Sequence, residues 1–353
     1  MSTAVHVVVP AGIDDPALPS GGNAYDRRAC RELAAAGVPV REIAVAGTWP
    51  RPAPAERAAL AAALAALPDG AAVLLDGLVA CGVPDVVVPQ ADRLALVVLV
   101  HLPLGEEAAD LAAAEREVLH AVAAVVATSP WTARSLVGGH GLDPGRVHVA
   151  TPGVDPAPLA AASGGERLLC VGSITPTKGQ DLLVEALAAV ADLRWSCDIV
   201  GALRRDPAHV AVVRRAIARH GLDDRIRVTG PLVGDALESV FAAADLLVLP
   251  SRVEGYGMVV TEALARGIPV LATAVGGVPE TLGEHGTPGI LVPAGDVDAL
   301  TAGLIRWLGE PELRQRLRGA AELRRPALDG WEVTARCLAT VVDAVAPRSG
   351  TPA

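Results

Sequence analysis

The sequence predicts an α/β fold of two doubly wound domains, and three observations carry that expectation. Short apolar, β-branched runs alternate with Ala- and Leu-rich helical stretches from end to end, the pattern of parallel sheets covered by helices. The length of 353 residues suits two domains at about 150 residues each. Hydrophobic periodicity lapses over Pro152–Gly165, where T-P-G-V-D-P-A-P is followed by A-A-A-S-G-G, so a boundary is expected there. The units are then residues 1–155 and 166–328, with a last helix within 329–346.

In the first unit the strand candidates are Val5–Val9, Val38–Ala44, Ala71–Leu75, Ala95–His101, Ala124–Thr128 and Val147–Ala150. Helical stretches over Ala24–Ala36, Ala55–Leu67, Glu106–His120 and Pro130–Leu136 separate most of them. A second series follows the boundary: Leu168–Val171, Cys197–Val200, Ile226–Val228, Leu246–Leu249, Pro269–Ala272 and Ile290–Val292, again with helices between. Each run is too short for a helix and bounded by turn residues, as buried parallel strands are. The tail Trp331–Val345 has helical periodicity. Two such domains are expected to face each other across a cleft.

Composition narrows the function. Lys and Arg total 30 against 40 Asp and Glu, a net charge of -10, and no basic run could neutralise a phosphate backbone, so nucleic acid is not expected as a partner. The five cysteines are odd in number, widely spaced and without a C-x-x-C pair, which suits buried thiols rather than disulfides or zinc. No apolar run reaches the roughly 18 residues of a membrane span, and Met1–Pro10 lacks the positive start of a signal peptide. A cytoplasmic protein with no strong membrane signal is expected, without a metal.

Three loops carry chemistry. Pro19-Ser20-Gly21-Gly22-Asn23 follows the first strand and opens a helix containing Arg27 and Arg28; its glycines would let a phosphate approach the backbone at a helix start, although a Gly-Gly pair also makes an ordinary turn. The G-x-G-x-x-G spacing of dinucleotide enzymes is absent from it. The second loop, Val171–Gly179, holds Lys178, the single lysine of the chain. Arg supplies every other fixed cation, so a compact ammonium retained beyond a strand and before a helix points to a phosphate. The third, Pro250–Ala263, reads P-S-R-V-E-G-Y-G-M-V-V-T-E-A. Gly257, Met258 and Val259 would present N–H groups at a helix start, suited to a diphosphate. Glu254 and Glu262 lie eight residues apart, about 12 Å along a helix, so each carboxylate could take hydroxyls at one end of a nucleotide diphosphate sugar.

Together these residues resemble the retaining GT-B glycosyltransferases, specifically glycosyltransferase family four. The resemblance runs through the Gly21-Gly22 loop, L-V-H-L-P around His101, A-T-S-P-W-T-A-R-S-L from Ala127, P-G-V-D from Pro152, V-G-S-I-T-P-T-K-G from Val171, the Pro250 loop and A-R-G-I-P-V-L-A-T-A-V-G-G-V-P-E from Ala265. It implies two Rossmann-like domains, the first for the acceptor and the second for a nucleotide sugar, with the last helix returning to the first domain. Gly21 and Gly22 would approach the donor's distal phosphate. Lys178 and the N–H groups of Gly257, Met258 and Val259 would bind the diphosphate, with Ser173 and Tyr256 lining the donor. Glu254 would contact sugar hydroxyls, Glu262 the ribose, and His101 would sit beside the donor sugar. Lys178, Glu254 and His101 are thereby the expected catalytic set.

One position departs from the family: Ser173 stands where an Arg usually follows V-G, so the diphosphate loses a cation there. The expected activity is transfer of a hexose, with retention, from a nucleotide diphosphate sugar to an acceptor hydroxyl without a cofactor, the donor nucleotide being UDP by the family's habit. Residues Ala55–Leu67 and Glu106–His120 lack the basic amphipathic character of a lipid-facing helix, which favours a soluble metabolite or natural product as acceptor. The alternatives are a non-catalytic nucleotide-sugar binding subunit and a GT-B sugar-nucleotide epimerase or hydrolase.

Overall fold

A computed structural model describes residues 4–283 and 288–346. Its elements fall into two contact units: one holds the chain up to Asp14, Gly22–Gly153 and the chain from Trp331 onward, the other Asp15–Gly21 and Val154–Gly330.

The first unit is a six-stranded sheet of β1 (Val5–Pro10), β2 (Val40–Val45), β3 (Ala72–Asp76), β4 (Ala95–Val100), β5 (Ala124–Ala127) and β6 (Val147–Val149), in the order β2-β1-β3-β4-β5-β6. Every pairing is parallel. The inner strands β3 and β5 are buried throughout, as a sheet covered on both faces demands, whereas edge strand β2 carries exposed Arg41 and Glu42. Its main helices are α1 (Gly21–Ala35), α2 (Pro54–Ala65), α3 (Ala112–Ala121) and α4 (Pro130–His140).

The second unit is also six-stranded and parallel: β7 (Arg167–Val171), β8 (Ser196–Val200), β9 (Ile226–Gly230), β10 (Leu246–Leu249), β11 (Val270–Thr273) and β12 (Gly289–Val292), in the order β12-β11-β10-β7-β8-β9. Helices α5 (Gln180–Ala188), α6 (Pro207–Arg219), α7 (Asp235–Ala243), α8 (Met258–Ala265), α9 (Val297–Gly309) and α10 (Pro311–Arg324) join them. The last helix, α11 (Trp331–Val345), belongs to the first unit. There Trp331 packs edge-on against buried Tyr25, ring centres 5.6 Å apart, and Thr334 donates to the Thr151 carbonyl at 2.7 Å.

All twelve predicted strands are present. The helix expected over Glu106–His120 is not continuous: Ala108 is extended, and a short turn, Leu104–Glu107, and a 3-10 turn, Ala109–Leu111, precede α3. Glu115 causes the break, because its buried carboxylate accepts the Leu104 N–H at 2.8 Å and caps that turn. His101 falls one residue beyond β4. The stretch 154–165, which has no periodicity, is held along the second unit: Asp245 accepts from Ser163 N and Oγ at 2.8 and 2.6 Å, and Ala160 N donates to the Arg266 carbonyl. These bonds satisfy backbone that a sheet would otherwise satisfy.

Strand order positions the chemistry. In the first sheet the chain reverses its direction of progress at β1 and β3, and in the second at β7 and β10. Ligands of open α/β sheets sit at the carboxyl ends of strands at such points. Asp76 ends β3, while the Val171–Gly179 and Pro250–Gly257 loops leave β7 and β10.

Candidate functional site

In the second unit two loops are clipped together by their backbones. Arg252 N donates to the Thr177 carbonyl at 2.7 Å, and the Arg252 guanidinium forks onto Asp181 at 3.0 and 2.7 Å. Asp181 is partly desolvated, yet Arg252 holds its carboxyl below the usual range. Gly179, at φ +68°, caps α5, and a Cβ there would stand 2.1 Å from the Pro250 carbonyl oxygen, so only glycine lets the loops meet so closely. The consequence is a pair of charges: Lys178 Nζ lies 2.6 Å from Glu254 Oε2, which also accepts from Ser251 Oγ at 3.1 Å. Both side chains are partly exposed, at 29% and 14%, so a ligand can reach them.

Glu254 is fixed from behind. Gly277 N donates to its carbonyl, and a Cβ on Gly276, at φ +53°, would fall 1.7 Å from that oxygen. Gly257, left-handed at φ +85°, opens α8 without a side-chain cap. The first N–H groups of the helix, from Met258 and Val259, therefore receive no acceptor from their N-cap side chain, and the helix dipole makes this end attractive to an anion. Tyr256 is anchored through its carbonyl, which accepts from Thr281 Oγ1 at 2.7 Å, and burial raises its phenol to about 12. Glu262 lies on the second turn of α8; burial raises its carboxyl, with Glu238 and Asp155 adding to the effect and Arg266 opposing it.

Ser173 does not present a charge and is held in place by its neighbours. Its hydroxyl donates to the Pro19 carbonyl at 3.2 Å, and its own carbonyl accepts from Gln180 Nε2 at 3.1 Å. The adjacent turn is tight, since a Cβ on Gly201 would meet the Gly172 oxygen at 1.9 Å. Gly21 packs beside Met258, a Cβ there meeting Sδ at 3.6 Å.

The remaining predicted residues lie in the first unit. Gly22 sits against His101, where a Cβ would approach Cδ2 to 3.2 Å. His101 Nε2 is 2.8 Å from Asp26 Oδ1, and the ring meets Tyr25 edge-on at 5.2 Å. Burial disfavours the imidazolium, but Asp26, by charge and hydrogen bond, and Asp76 overcome it and lift the ring to about 9. Asp76 itself is pushed strongly upward, first by burial and then by Asp26. Polar atoms of Asp26, Asp76 and His101 lie within 4.8 Å of one another. The 2.8 Å bond already occupies the ring nitrogen, and we read the trio as a hydrogen-bonded cluster. Arg27, which follows Asp26 on α1, is committed elsewhere: it bonds Asp14 at 2.9 and 2.5 Å and Glu42 at 2.8 and 2.7 Å.

The structure brings together Lys178 and Glu254, two of the expected site residues; Ser251, Arg252 and Asp181, which hold their loops, and Asp26 and Asp76, which neighbour His101, are not among those expected from the sequence. Asp76 did carry a signal, being a lone carboxylate closing the apolar run V-L-L-D-G. The cysteines are not site groups: Cys30, Cys81, Cys170 and Cys197 are buried, and burial raises the Cys170 thiol to about 12. No helix among the described residues is long and apolar enough to cross a membrane.

Residues 154–324 match the family described as Glycosyl transferases group 1. Among curated relatives, the D-inositol 3-phosphate glycosyltransferase of Jonesia denitrificans is 31% identical over 250 residues, covering 65% of this chain and 58% of the relative. The enzyme of that name from Frankia alni is 34% identical over 253 residues, covering 63% and 59%. The chain therefore spans less than two thirds of the length of these relatives. Of solved structures, sucrose-phosphate synthase from Thermosynechococcus elongatus superposes with a TM-score of 0.80 at 21% identity, over 98% of this chain and 99% of that one. Anabaena HepE in complex with UDP-glucose gives 0.75 at 19% identity, over 97% and 99%. The matched segment covers nearly all of the second unit with its Lys178, Glu254 and Gly257 loops, and the two parallel six-stranded sheets match the GT-B fold of the solved structures.

Proposed function

We propose that the protein is a retaining glycosyltransferase that moves a hexose from a nucleotide diphosphate sugar, UDP-linked, to the hydroxyl of a small soluble acceptor. The observation that carries this reading is the placement of Lys178 against Glu254, at 2.6 Å, beside the glycine-opened start of α8. A cation, a helix N-terminus and a carboxylate converge there, and a diphosphate sugar needs all three: positive charge and N–H groups for the phosphates, an acceptor for the sugar hydroxyls.

In this reading a diphosphate draws Lys178 away from Glu254. The ammonium and the N–H groups of Met258 and Val259 stabilise negative charge that grows on the leaving diphosphate, the largest kind of contribution such a site makes. Glu254, released from Lys178 but still held by Ser251, accepts from sugar hydroxyls and orients the anomeric carbon. Glu262 takes the ribose hydroxyls. The diphosphate oxygen receives the acceptor proton as the new bond forms on the face the leaving group vacates, so no protein nucleophile is used.

The test is incubation with a panel of nucleotide sugars, with and without a mixture of small hydroxylated acceptors, followed by mass spectrometry and by the anomeric configuration of any product. Transfer from a UDP-sugar with retained configuration is expected. Hydrolysis without transfer, epimerised donor, or binding without turnover would each replace this reading.

A further inference from the structure

The first unit contains a buried charge cluster that the chemistry of the second unit does not require. Asp26 is 2% exposed and Asp76 5%, and one oxygen of each carboxyl and a ring nitrogen of His101 lie within 4.8 Å of one another. Three elements build it: Asp26 on α1, Asp76 at the end of β3, and His101 just after β4. The strands fix the spacing, because Asp76 pairs in register with Leu99, two residues before His101. Asp26 Oδ1 takes the His101 Nε2 bond, while Asp26 Oδ2 is buried with no partner. Asp76 Oδ1 accepts the Leu78 N–H at 2.7 Å.

Chemistry limits how these groups are charged. Two buried carboxyls so close cannot both ionise cheaply, so one proton is shared between them. Lodged on Asp76, it supplies the donor that Asp26 Oδ2 lacks, and the carboxyl pair then carries a single negative charge. A single positive charge on the ring balances it. With a neutral ring, the Nε2–H bond to Asp26 would leave Nδ1 an acceptor; with a charged ring, both nitrogens donate.

We propose that Asp26 and Asp76 are positioning residues that hold His101 as an imidazolium, its Nδ1–H serving as a cationic donor to a substrate oxygen at the carboxyl end of the first sheet. The clause about substrate rests on the function proposed above; the charge state does not. Among the described residues, the charges that act on the ring are those of Asp26 and Asp76. Tyr25, facing the ring from α1, is held neutral first by burial, with Asp26 and Cys337 adding to the effect. Arg28, also on α1, is engaged by Glu32 and by the Trp331 ring. From β5, Thr128 only donates to the His101 carbonyl at 3.0 Å. Gly22 leaves the Cδ2 edge of the ring uncovered by any side chain of its own, since a Cβ there would be 3.2 Å away. Ring charge and ring orientation are thus set before a ligand arrives, which is what a positioned electrostatic group needs.

The experiment is a two-bond proton–nitrogen NMR spectrum of the nitrogen-15-labelled full chain, with the His101 signal assigned by His101→Gln and followed from pH 5.5 to 10. Doubly protonated His101 at pH 7.5 is expected, losing its proton near pH 9. Asp26→Asn should bring that midpoint to about 6.5 or below, the ordinary histidine range, while the other histidine signals stay in place. In an assay of transfer, the alkaline fall in rate should move down with it, a shift that mere loosening of the fold would not produce. A neutral single-tautomer ring in the wild type at pH 7.5 overturns the proposal, and this reading needs no variant to fold. So does a midpoint unmoved by Asp26→Asn, or one equivalent of zinc or magnesium that survives dialysis in the wild type and is lost in Asp26→Asn. A charged ring with no transfer from any nucleotide sugar would end the glycosyltransferase reading and leave the charge assignment standing; a neutral ring with active transfer would do the reverse.

Discussion

Lys178 Nζ and Glu254 Oε2 lie 2.6 Å apart across two loops that leave different strands of the second sheet. Under the proposed function, the cation that meets the diphosphate is paired with the carboxylate that meets the sugar, so each half of a nucleotide sugar would compete with an internal partner and binding would exchange one ion pair for two sets of contacts. Lys178 is 29% and Glu254 14% exposed, so solvent screens part of the attraction that binding would have to exchange.

Lys178→Ala should weaken nucleotide-sugar binding by about 1.5 to 3 kcal/mol, the range of a charge-assisted hydrogen bond, with little change in melting temperature. Calorimetric titration with UDP-glucose and a melting curve check both. Unchanged affinity would remove the residue from the diphosphate site.

Glu254→Gln keeps the shape but frees Lys178. Nucleotide diphosphate without a sugar should bind as tightly or tighter than to the wild type, while transfer falls by about 2 to 4 kcal/mol in kcat/KM, the usual range for a buried polar contact that tightens toward the transition state. Equal losses for UDP and UDP-sugar would contradict the assignment of Glu254 to the sugar.

Ser173→Arg places a cation where the family that the sequence resembles usually carries an Arg. Since the serine hydroxyl is spent on the Pro19 carbonyl, it gives nothing to a phosphate, and an added guanidinium should tighten diphosphate binding roughly tenfold, the lower part of the charge-assisted range. Arg27→Ala, by contrast, should leave that affinity alone, because Asp14 and Glu42 already hold the guanidinium. Isothermal titration of both variants separates the two cases.

Gly179→Ala should lower stability by about 1 to 3 kcal/mol, the usual cost of forcing extra atoms into a packed contact. The added methyl would strike the Pro250 carbonyl and the left-handed backbone would be strained as well. Urea unfolding measures the loss; donor affinity should fall with it, since the same contact holds Lys178 near Glu254.

Stability should also depend on pH through His101. Its folded value, about 9, lies above the ordinary 6.5, so the folded state holds the proton more tightly; the stabilisation is complete below about pH 6.5 and is lost as pH rises to about 9, at most about 3 kcal/mol for a shift of that size. The raised Asp76 acts in the same direction from lower pH. Melting curves from pH 6 to 9.5 should fall more steeply for the wild type than for His101→Gln.

Much of this was legible along the chain because it is local. Strand runs such as Val97–Val100 and Leu246–Leu249, buried on both faces of their sheets, announce themselves as continuous apolar segments. Gly276 stands where two backbones approach closely and Gly257 where a helix opens from a left-handed residue, and a single lysine stands out among arginines. What fails to show is whatever depends on a partner distant in sequence. Glu115 breaks the helix expected over Glu106–His120 by capping Leu104, a bond invisible to periodicity. Arg252 reads as an ordinary loop residue until Asp181, 71 positions away, takes its guanidinium. The sequence by itself determined two doubly wound sheets and the loops at their carboxyl ends, since these follow from alternation and turn chemistry. Only tertiary structure decided that Asp26, Asp76 and His101 share one buried cluster, because their meeting depends on strand order and register, and burial among neighbouring charges sets their protonation.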